Sequence, residues 1–335
     1  MKSKLRKLSL NMLFEIVKSV YQDLKRCDIE ELSKIVEQGC GDVVYKIDVR
    51  AENIVENTFK RIGDEVCPIL GITEKTGKRV YGDGEPEYFI IVDPIDGTRP
   101  LMYQLHPAFS LVGIGKIIES RYPVLGDIEF CAMFQIPNLD KKYIDLVKAM
   151  KGKGTMMERY EVDTWKKIKT FRPTPSKAKS IEHGFIVISA PFSPREYLAR
   201  VGDYIVKKVV REGRARVFYD EYLSTAGQFY RLLLGKYRIV VDLRPLQEKL
   251  LKTKGGELGL CAHPYDVCCA LSLKEVNCPI TDGYGNEKDF WRFPCDAKTD
   301  VHYIAYANEI LREKIEPIIL EAISKIFKID SNVNR

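Results

Sequence analysis

The stretch Tyr88–Thr98, with the sequence YFIIVDPIDGT, constrains the fold of this chain more than any other. Its first five residues are apolar and either aromatic or β-branched, a pattern typical of a strand buried on both faces. Asp93 follows them, and Pro94 is expected to end the strand because proline has no N–H to donate. Asp96 comes three residues after Asp93, and Gly97 is expected to begin the next turn or helix. The sequence therefore predicts two carboxylates at the C-terminal end of a central strand, where α/β folds bind ligands.

Two neighbouring carboxylates favour a cation between them. Carboxylates about 3 Å apart repel unless a proton or a cation separates them. The stretch contains no histidine, and ligation by oxygen alone favours Mg²⁺, Mn²⁺ or Ca²⁺ over zinc. Backbone N–H groups at Gly97-Thr98 would face an anion held by such ions. The alternative is a polar turn after a core strand, since Asp, Pro and Gly are common in turns.

The DPIDGT string on a buried strand resembles the metal-dependent phosphatase superfamily of inositol monophosphatases and fructose-1,6-bisphosphatases. The resemblance implies that Asp93, the Ile95 carbonyl and Asp96 bind metal ions. It also implies that Asp96, Gly97 and Thr98 contact the phosphate of a substrate.

A third acid, Asp48, precedes an amphipathic segment in the string YKIDVRAE. From the residues alone, Asp48 is a candidate helix N-cap worth about 1 kcal/mol. The string also resembles the stretch in which the family's Asp, together with a later Thr, polarises the attacking water. On that resemblance the catalytic pair in this chain is Asp48 and Thr98.

A fourth acid, Glu74, lies in the string GITEKTG. In isolation it would be a solvated turn residue. The family places a catalytic, metal-binding Glu at a similar distance before its DPIDGT string, and Glu74 stands 19 residues before Asp93. Many members have a second acid after that Glu, whereas this chain has Lys75. Metal binding is expected to survive the change, with an effect of Lys75 on affinity or loop closure.

The string CAHPYDVCCA contains a fifth acid, Asp266. It is expected to open a short apolar helix, where it could be an N-cap. The string also resembles the WDxAA-like segment with which the family closes its metal site, with Tyr265 in the aromatic position. Cys268-Cys269 replace small residues there and are expected to pack rather than react. His263 is expected to be structural, with substrate contact as the weaker interpretation.

Two further residues are candidates for substrate binding. Glu257, in GGELGL, resembles a family Glu-x-Gly that contacts a substrate hydroxyl, although it lies two residues further from Asp266. Arg244, in VVDLRP, resembles a DxR of archaeal members and is expected either to bind a second phosphate or to pair with Asp242.

The hydrophobic periodicity predicts an α+β fold. A helical pattern runs from about Leu8 to Glu37, and later segments alternate like strands. The polar, proline-containing segment 158–179 is the predicted seam between an N-terminal half, 1–180, and a C-terminal α/β half, 181–335. Together with the resemblance, this order implies a layered αβαβα phosphatase sandwich whose N-terminal half is rich in antiparallel strands.

Composition narrows the class of protein. The chain has 335 residues, 45% of them hydrophobic, and no apolar run long enough for a membrane helix. The basic, then apolar N-terminus lacks a cleavage site, so a signal peptide is rejected and a cytoplasmic location is expected. Its nine cysteines, without metal-binding spacing, are predicted to be reduced thiols. A net charge of +6 without a long basic block indicates neither a nucleic-acid nor a membrane partner.

Taken with the resemblance, these observations predict a phosphatase with two or three Mg²⁺ ions, for which Mn²⁺ could substitute. The expected partner is a small-molecule phosphate ester, myo-inositol 1-phosphate or fructose 1,6-bisphosphate, and the expected assembly is a homodimer. Two alternatives stay open: a 3′(2′),5′-bisphosphate nucleotidase, and a catalytically idle binding or regulatory member of the superfamily.

Overall fold

A computed structural model describes residues 1–38, 43–210 and 215–328 of the chain. The helices are α1 Lys2–Arg26, α2 Ile29–Leu32, α3 Lys46–Glu65, α4 Thr98–Met102, α5 Glu196–Val209, α6 Thr225–Leu233, α7 Arg244–Lys252, α8 Leu271–Lys274, α9 Glu287–Phe290 and α10 Glu309–Phe327. The strands are β1 Ile35–Gln38, β2 Val43–Tyr45, β3 Ile69–Thr73, β4 Gly77–Tyr81, β5 Tyr88–Asp96, β6 Ala108–Lys116, β7 Ile128–Ile136, β8 Tyr143–Met150, β9 Gly154–Glu161, β10 Lys167–Phe171, β11 Gly184–Ile188, β12 Val217–Tyr219, β13 Tyr237–Asp242, β14 Ile280–Asp282 and β15 Tyr303–Tyr306.

The large sheet contains eight strands in the order β10-β9-β8-β7-β6-β5-β3-β4. Only β3 and β5 pair in parallel, and all the other neighbours are antiparallel. Every residue of β5 is buried, as the sequence predicted for its first five residues, Tyr88–Val92. Its side chains alternate between two cores: Ile90 and Val92 pack with α1 and α3, whereas Phe89 and Ile91 pack towards the C-terminal part of the chain. The strand is therefore covered on both faces, which explains its continuous apolar sequence.

The small sheet contains five strands in the order β12-β11-β13-β15-β14. Strand β11 pairs in parallel with β12 and β13, and β15 is antiparallel to both of its neighbours. Helix α6 contacts both β6 of the large sheet and β13 of the small one, while α5 contacts β11 and α10 contacts β15. The layers therefore follow the order α, β, α, β, α, which confirms the α+β layered sandwich.

The predicted first helix has different bounds. It begins earlier, at Lys2, and ends at Arg26, because Cys27 is extended and Asp28 starts a new helix. The Asp28 carboxylate accepts a hydrogen bond from the N–H of Glu31 at 2.8 Å and so caps α2. The predicted helical pattern continued past this break to about Glu37, whereas in the structure α2 is followed by strand β1.

Strand β5 does not end at Asp93, contrary to the prediction from Pro94. It continues to Asp96 through an irregularity in its pairing with β6. Asp93 lies opposite Leu111 and Asp96 opposite Phe109, so three steps along β5 match two along β6. Proline is tolerated here because a bulge leaves one residue outside the ladder.

The predicted seam is only partly irregular. Residues 158–171 complete β9 and form β10, so the segment without strands or helices begins after Phe171. The division of the chain at residue 180 stays a prediction. No helix in the described ranges is both long and apolar enough to cross a membrane.

Candidate active site

A cleft opens where the C-terminal end of β5 meets elements of the small sheet. Its walls come from the start of α3, the β3–β4 turn, the β5–α4 junction, the start of α6 and the turn before α8. The acids predicted from the sequence are among its lining residues: Asp48, Glu74, Asp93, Asp96 and Asp266.

Three of these acids form a tight cluster. Carboxylate oxygens of Asp93, Asp96 and Asp266 all lie within 4.8 Å of one another. Asp93 and Asp96 are buried, with 4% and 6% of their surface exposed, and Asp266 is half-buried. Burial, and then the charges of Asp266, Asp96 and Glu74, raise the pKa of Asp93 well above its usual value. Burial and Asp266 raise the pKa of Asp96 to about 7.

Such crowding fits a divalent cation. Three negative groups that approach one another in a buried site are stabilised when a positive ion lies between them. The donor atoms are all oxygens, the set that Mg²⁺, Mn²⁺ and Ca²⁺ prefer. Within the cluster, the N–H of Ile95 donates to Asp93 at 3.0 Å and fixes the orientation of that carboxylate.

Residues at the start of α6 form hydrogen bonds to Asp96, which lies at the end of β5 in the large sheet. Its carboxylate accepts hydrogen bonds from the Ser224 hydroxyl at 2.9 Å, the N–H of Ala226 at 2.6 Å and the N–H of Thr225 at 3.2 Å. Gly97 allows this approach, since a Cβ on it would lie 3.0 Å from the Cβ of Ser224. Sequence reasoning did not connect Ser224 with the acids, because its partner lies 128 residues away.

The predicted pair Asp48 and Thr98 is in contact. The Thr98 hydroxyl lies 3.1 Å from a carboxylate oxygen of Asp48 and 3.0 Å from the carbonyl of Ile95. Asp48 is not the N-cap of α3, as one interpretation had it. The N-cap is Tyr45, and Asp48, in the first turn, accepts a hydrogen bond from the Tyr45 N–H at 2.9 Å. This leaves the second carboxylate oxygen of Asp48 for Thr98.

Glu74 lies in the turn between β3 and β4, and its side chain is exposed. It lines the cleft, and its charge contributes to the raised pKa of both Asp93 and His263. The charge of Lys75, next to it, opposes the rise in the pKa of the buried Glu52 carboxyl.

Asp266 reaches the cluster from a turn, not from a helix N-terminus. Residues 264–270 form consecutive turns, and helix α8 begins only at Leu271. The Asp266 carboxylate accepts a hydrogen bond from the N–H of His263 at 2.6 Å. The N-cap interpretation of Asp266 is therefore wrong, because proline and the turn residues delay the helix.

His263 lies beside this turn and lines the cleft. The ring of Tyr265 stacks on it, and the Tyr265 hydroxyl is 3.1 Å from its Nδ1. Burial opposes protonation of His263, but the hydrogen bond to Asp266 and the charges of Asp266, Asp300 and Glu74 raise its pKa above the usual value.

The two predicted substrate residues differ in position. Arg244 is buried, lines the cleft and forms a bidentate pair with Asp242, with N–O distances of 2.9 and 2.7 Å. Of the two expectations for Arg244, the pairing with Asp242 is present. Glu257 is exposed and does not line the cleft, so the structure does not bring it to the other predicted residues.

Glu52 was not identified from the sequence. It lies one helical turn after Asp48 on α3, is buried and lines the cleft. Burial, with smaller effects from the charges of Asp48 and Glu56, raises its pKa to about 7 against the opposing charge of Lys75. The available signal was its spacing of four residues from Asp48, which places both acids on one helix face.

Cys268 and Cys269 are free and buried, with their sulfur atoms 4.0 Å apart. The Cys269 thiol donates to the carbonyl of Ala132 on β7 at 3.1 Å. These contacts are those of small packing residues between the sheets, in agreement with the prediction.

Comparison with known proteins adds to this geometry. A sequence model described as the inositol monophosphatase family matches residues 5–317. A curated bifunctional NADP phosphatase/NAD kinase from Methanococcus maripaludis is 31% identical over 110 residues. That match covers 32% of this chain and 19% of the length of that protein.

Two solved structures share the fold across nearly the whole chain. One is the MJ0109 gene product, described as an inositol monophosphatase–fructose 1,6-bisphosphatase, with 17% identity, a TM-score of 0.64 and coverage of 95% of this chain and 98% of that one. The other is fructose-1,6-bisphosphatase from Leishmania major, with 14% identity, a TM-score of 0.66 and coverage of 94% and 93%. At these identities the likeness concerns the fold.

Proposed function

The chain belongs to the inositol monophosphatase family, and from this premise we propose that it is a Mg²⁺-dependent phosphomonoester hydrolase acting on a sugar or polyol phosphate. One observation carries the proposal. Acids from distant parts of the chain, Asp93, Asp96 and Asp266, meet within 4.8 Å in a cleft that also contains the Thr98–Asp48 pair.

We propose that two or three Mg²⁺ ions, or Mn²⁺ in their place, are held by Glu74, Asp93, the Ile95 carbonyl, Asp96 and Asp266. When bound, divalent ions supply positive charge to phosphate oxygens and make water a better nucleophile at neutral pH.

The chain's own residues would orient the water and take its proton. The Thr98 hydroxyl donates to Asp48 or Ile95, so its lone pairs face outward as acceptors for a water O–H. Asp48 is the base to which that proton can pass through Thr98. The backbone N–H groups of Gly97 and Thr98, at the end of β5, would receive negative charge from the phosphate.

Direct attack by water is preferred to a phosphocysteine route. Among the described cysteines, only Cys261 lines the cleft. Its pKa is strongly raised by burial and by Asp300, so it stays a neutral thiol and a poor nucleophile.

Myo-inositol 1-phosphate and fructose 1,6-bisphosphate are the first substrates proposed, supported by the activities named for the two structural neighbours. The 2′-phosphate of NADP is a second candidate, supported by the partial match to the NADP phosphatase/NAD kinase. A 3′(2′),5′-bisphosphate nucleotidase and an idle regulatory member are the further alternatives. An idle role is disfavoured because the crowded acids would destabilise the fold without a cation. A cytoplasmic homodimer remains part of the proposal.

Phosphate release from this panel of esters, with Mg²⁺ and with EDTA, tests the proposal. Wild type is expected to release phosphate only with Mg²⁺. Asp93→Asn is expected to lower the rate about a thousandfold, because it removes the charge at the centre of the cluster. Asp140→Asn, which changes an exposed acid, is the matched control. Near-normal Mg²⁺-dependent release by Asp93→Asn would refute the assignment.

A further inference from the structure

Arg231 is a cation beside the wall of the cleft, and no acid among the described residues forms an ion pair with it. It lies in the last turn of α6, with its guanidinium carbon 5.6 Å from the ring centre of Tyr222. Tyr222 lines the cleft, and its other neighbour is the ring of His106, at 4.6 Å. The Nε atom of Arg231 is buried and has no hydrogen-bond partner within the described ranges. A buried N–H without an acceptor is costly, so an acceptor is expected there.

Two lysines lie close to Arg231. Lys236 follows α6 and its N–H donates to the carbonyl of Arg231 at 2.9 Å, whereas Lys141 comes from the turn between β7 and β8. Burial and then the charges of Arg231 and Lys141 lower the pKa of Lys236. Arg231 and Lys141 also act on His106, whose pKa burial lowers. In the part of the chain that the structure describes, neither lysine side chain forms an ion pair or hydrogen bond.

The acids nearest this cluster already have partners. Asp145 accepts two hydrogen bonds from Arg159, at 2.9 and 2.8 Å, and one from the Tyr230 hydroxyl at 2.7 Å. Asp220 accepts from the Tyr237 hydroxyl. The C-terminal dipole of α6 favours a cation and accounts for one charge, but it does not account for Lys141 on another element.

We propose that Arg231, Lys141 and Lys236 form a binding site for the phosphate group of a small anion, separate from the acid cluster. A guanidinium supplies planar donors and the two ammonium groups supply mobile charge, a combination suited to a phosphate dianion. The site neighbours the cleft through Tyr222 and does not depend on the proposed function.

Equilibrium dialysis with labelled inorganic phosphate, in EDTA and at constant ionic strength, tests the site on the full chain. Without divalent ions, Asp93, Asp96 and Asp266 repel phosphate, so the measurement reports on the cationic cluster. Wild type is expected to bind one phosphate per chain. The double variant Arg231→Gln/Lys236→Gln is expected to bind at least about tenfold more weakly, through loss of two charged donors.

The matched control is Arg61→Gln/Lys7→Gln, which removes the same charge from exposed positions of α3 and α1. Circular dichroism verifies the fold of each variant, and the single variant Lys141→Gln, at an exposed turn, is expected to weaken binding without affecting folding. Competition by glucose 6-phosphate and adenosine 5′-monophosphate separates a phosphate-ester site from one for free phosphate. The site does not exist if wild type binds no more phosphate than the double variant, or if the control loses binding equally.

Discussion

The Thr98 hydroxyl links the proposed base to the end of the strand that carries the metal acids. It can donate one proton, and both candidate acceptors, Asp48 and the Ile95 carbonyl, are within 3.1 Å. Its catalytic value therefore depends on an oxygen atom and not on side-chain volume.

Replacing Thr98 by valine keeps the shape and removes that oxygen. The turnover rate is expected to fall about a hundredfold, with little change in KM, because proton removal from water is impaired. Steady-state kinetics with Mg²⁺ measures this, and Thr98→Ser, which keeps the hydroxyl, should retain most activity. Equal losses in both variants would mean that the hydroxyl is not what matters.

His302 is a residue whose protonation opposes folding. Its Nδ1 accepts a hydrogen bond from the N–H of Gly283 at 2.8 Å, and the rings of Tyr284 and Phe293 pack on it. Burial lowers its pKa to about 4. The folded protein therefore keeps His302 neutral, whereas the unfolded chain protonates it below about pH 6.5.

The stabilising effect of neutral His302 is fully present above the unfolded pKa and is lost as the pH falls from about 6.5 towards 4. We expect wild type to lose about 2 kcal/mol more unfolding free energy over this range than His302→Asn, whose side-chain oxygen can accept the same hydrogen bond. Urea unfolding at several pH values measures the difference. Parallel pH profiles for the two proteins would exclude this role.

At the scale of elements, α6 both packs the interior and holds the site. Ser224 accepts from the N–H of Gly227 at 2.9 Å as the N-cap and donates to Asp96. A single hydroxyl thus serves a helix end and an acid of the other sheet.

Ser224→Ala is expected to lower the unfolding free energy by about 1–2 kcal/mol, through loss of the cap. It should also raise the Mg²⁺ concentration needed for half-maximal activity about tenfold, since Asp96 loses one orienting donor. Asn308→Ala provides the control, because Asn308 caps α10 by accepting from the N–H of Leu311 at 3.0 Å, outside the cleft lining. Asn308→Ala should be destabilised similarly, with an unchanged Mg²⁺ concentration for half-maximal activity. A shift in that concentration for Asn308→Ala would mean that any loss of stability alters the Mg²⁺ response.

Several elements could be predicted from sequence because local signals determine them. The apolar run before Asp93 predicted a buried strand, which is β5, and the helical pattern from about Leu8 predicted the helix α1. The helix expected at Asp266 did not form, since propensity describes the segment alone while packing decides where the helix begins. The bulge after Asp93 was missed for the same reason: it is a property of pairing with β6.

At the scale of the molecule, the candidate site depends on both sheets. Asp93 and Asp96 end a strand of the large sheet, and Asp266 lies in the connection between β13 and β14 of the small one. The resemblance of short motifs was enough to predict that these acids lie in one site. Glu52 and Ser224 could not be found that way, since their roles come from burial and from a contact across the chain.

Divalent ions are expected to stabilise the whole molecule. At 100 times its dissociation constant, Mg²⁺ should add about 2.7 kcal/mol to the unfolding free energy, which raises the unfolding temperature by several degrees. Asp266→Asn should shrink this shift and, in EDTA, unfold at a higher temperature than wild type because one repelling charge is gone. Differential scanning fluorimetry measures both effects, with Asp140→Asn for comparison. An unchanged Mg²⁺ shift in Asp266→Asn would remove that residue from the ligand set.

The bulge in β5 decides which face of the sheet the side chains after it point to. Side chains of a regular strand alternate, so residues separated by an odd number point to opposite faces. Asp93 and Asp96 are separated by three, yet their oxygens meet, because the partner strand advances by only two. In a regular ladder, with three residues of β5 matched by three of β6, one carboxylate would turn away from the other. The bulge is thus as essential to the cluster as the acids themselves.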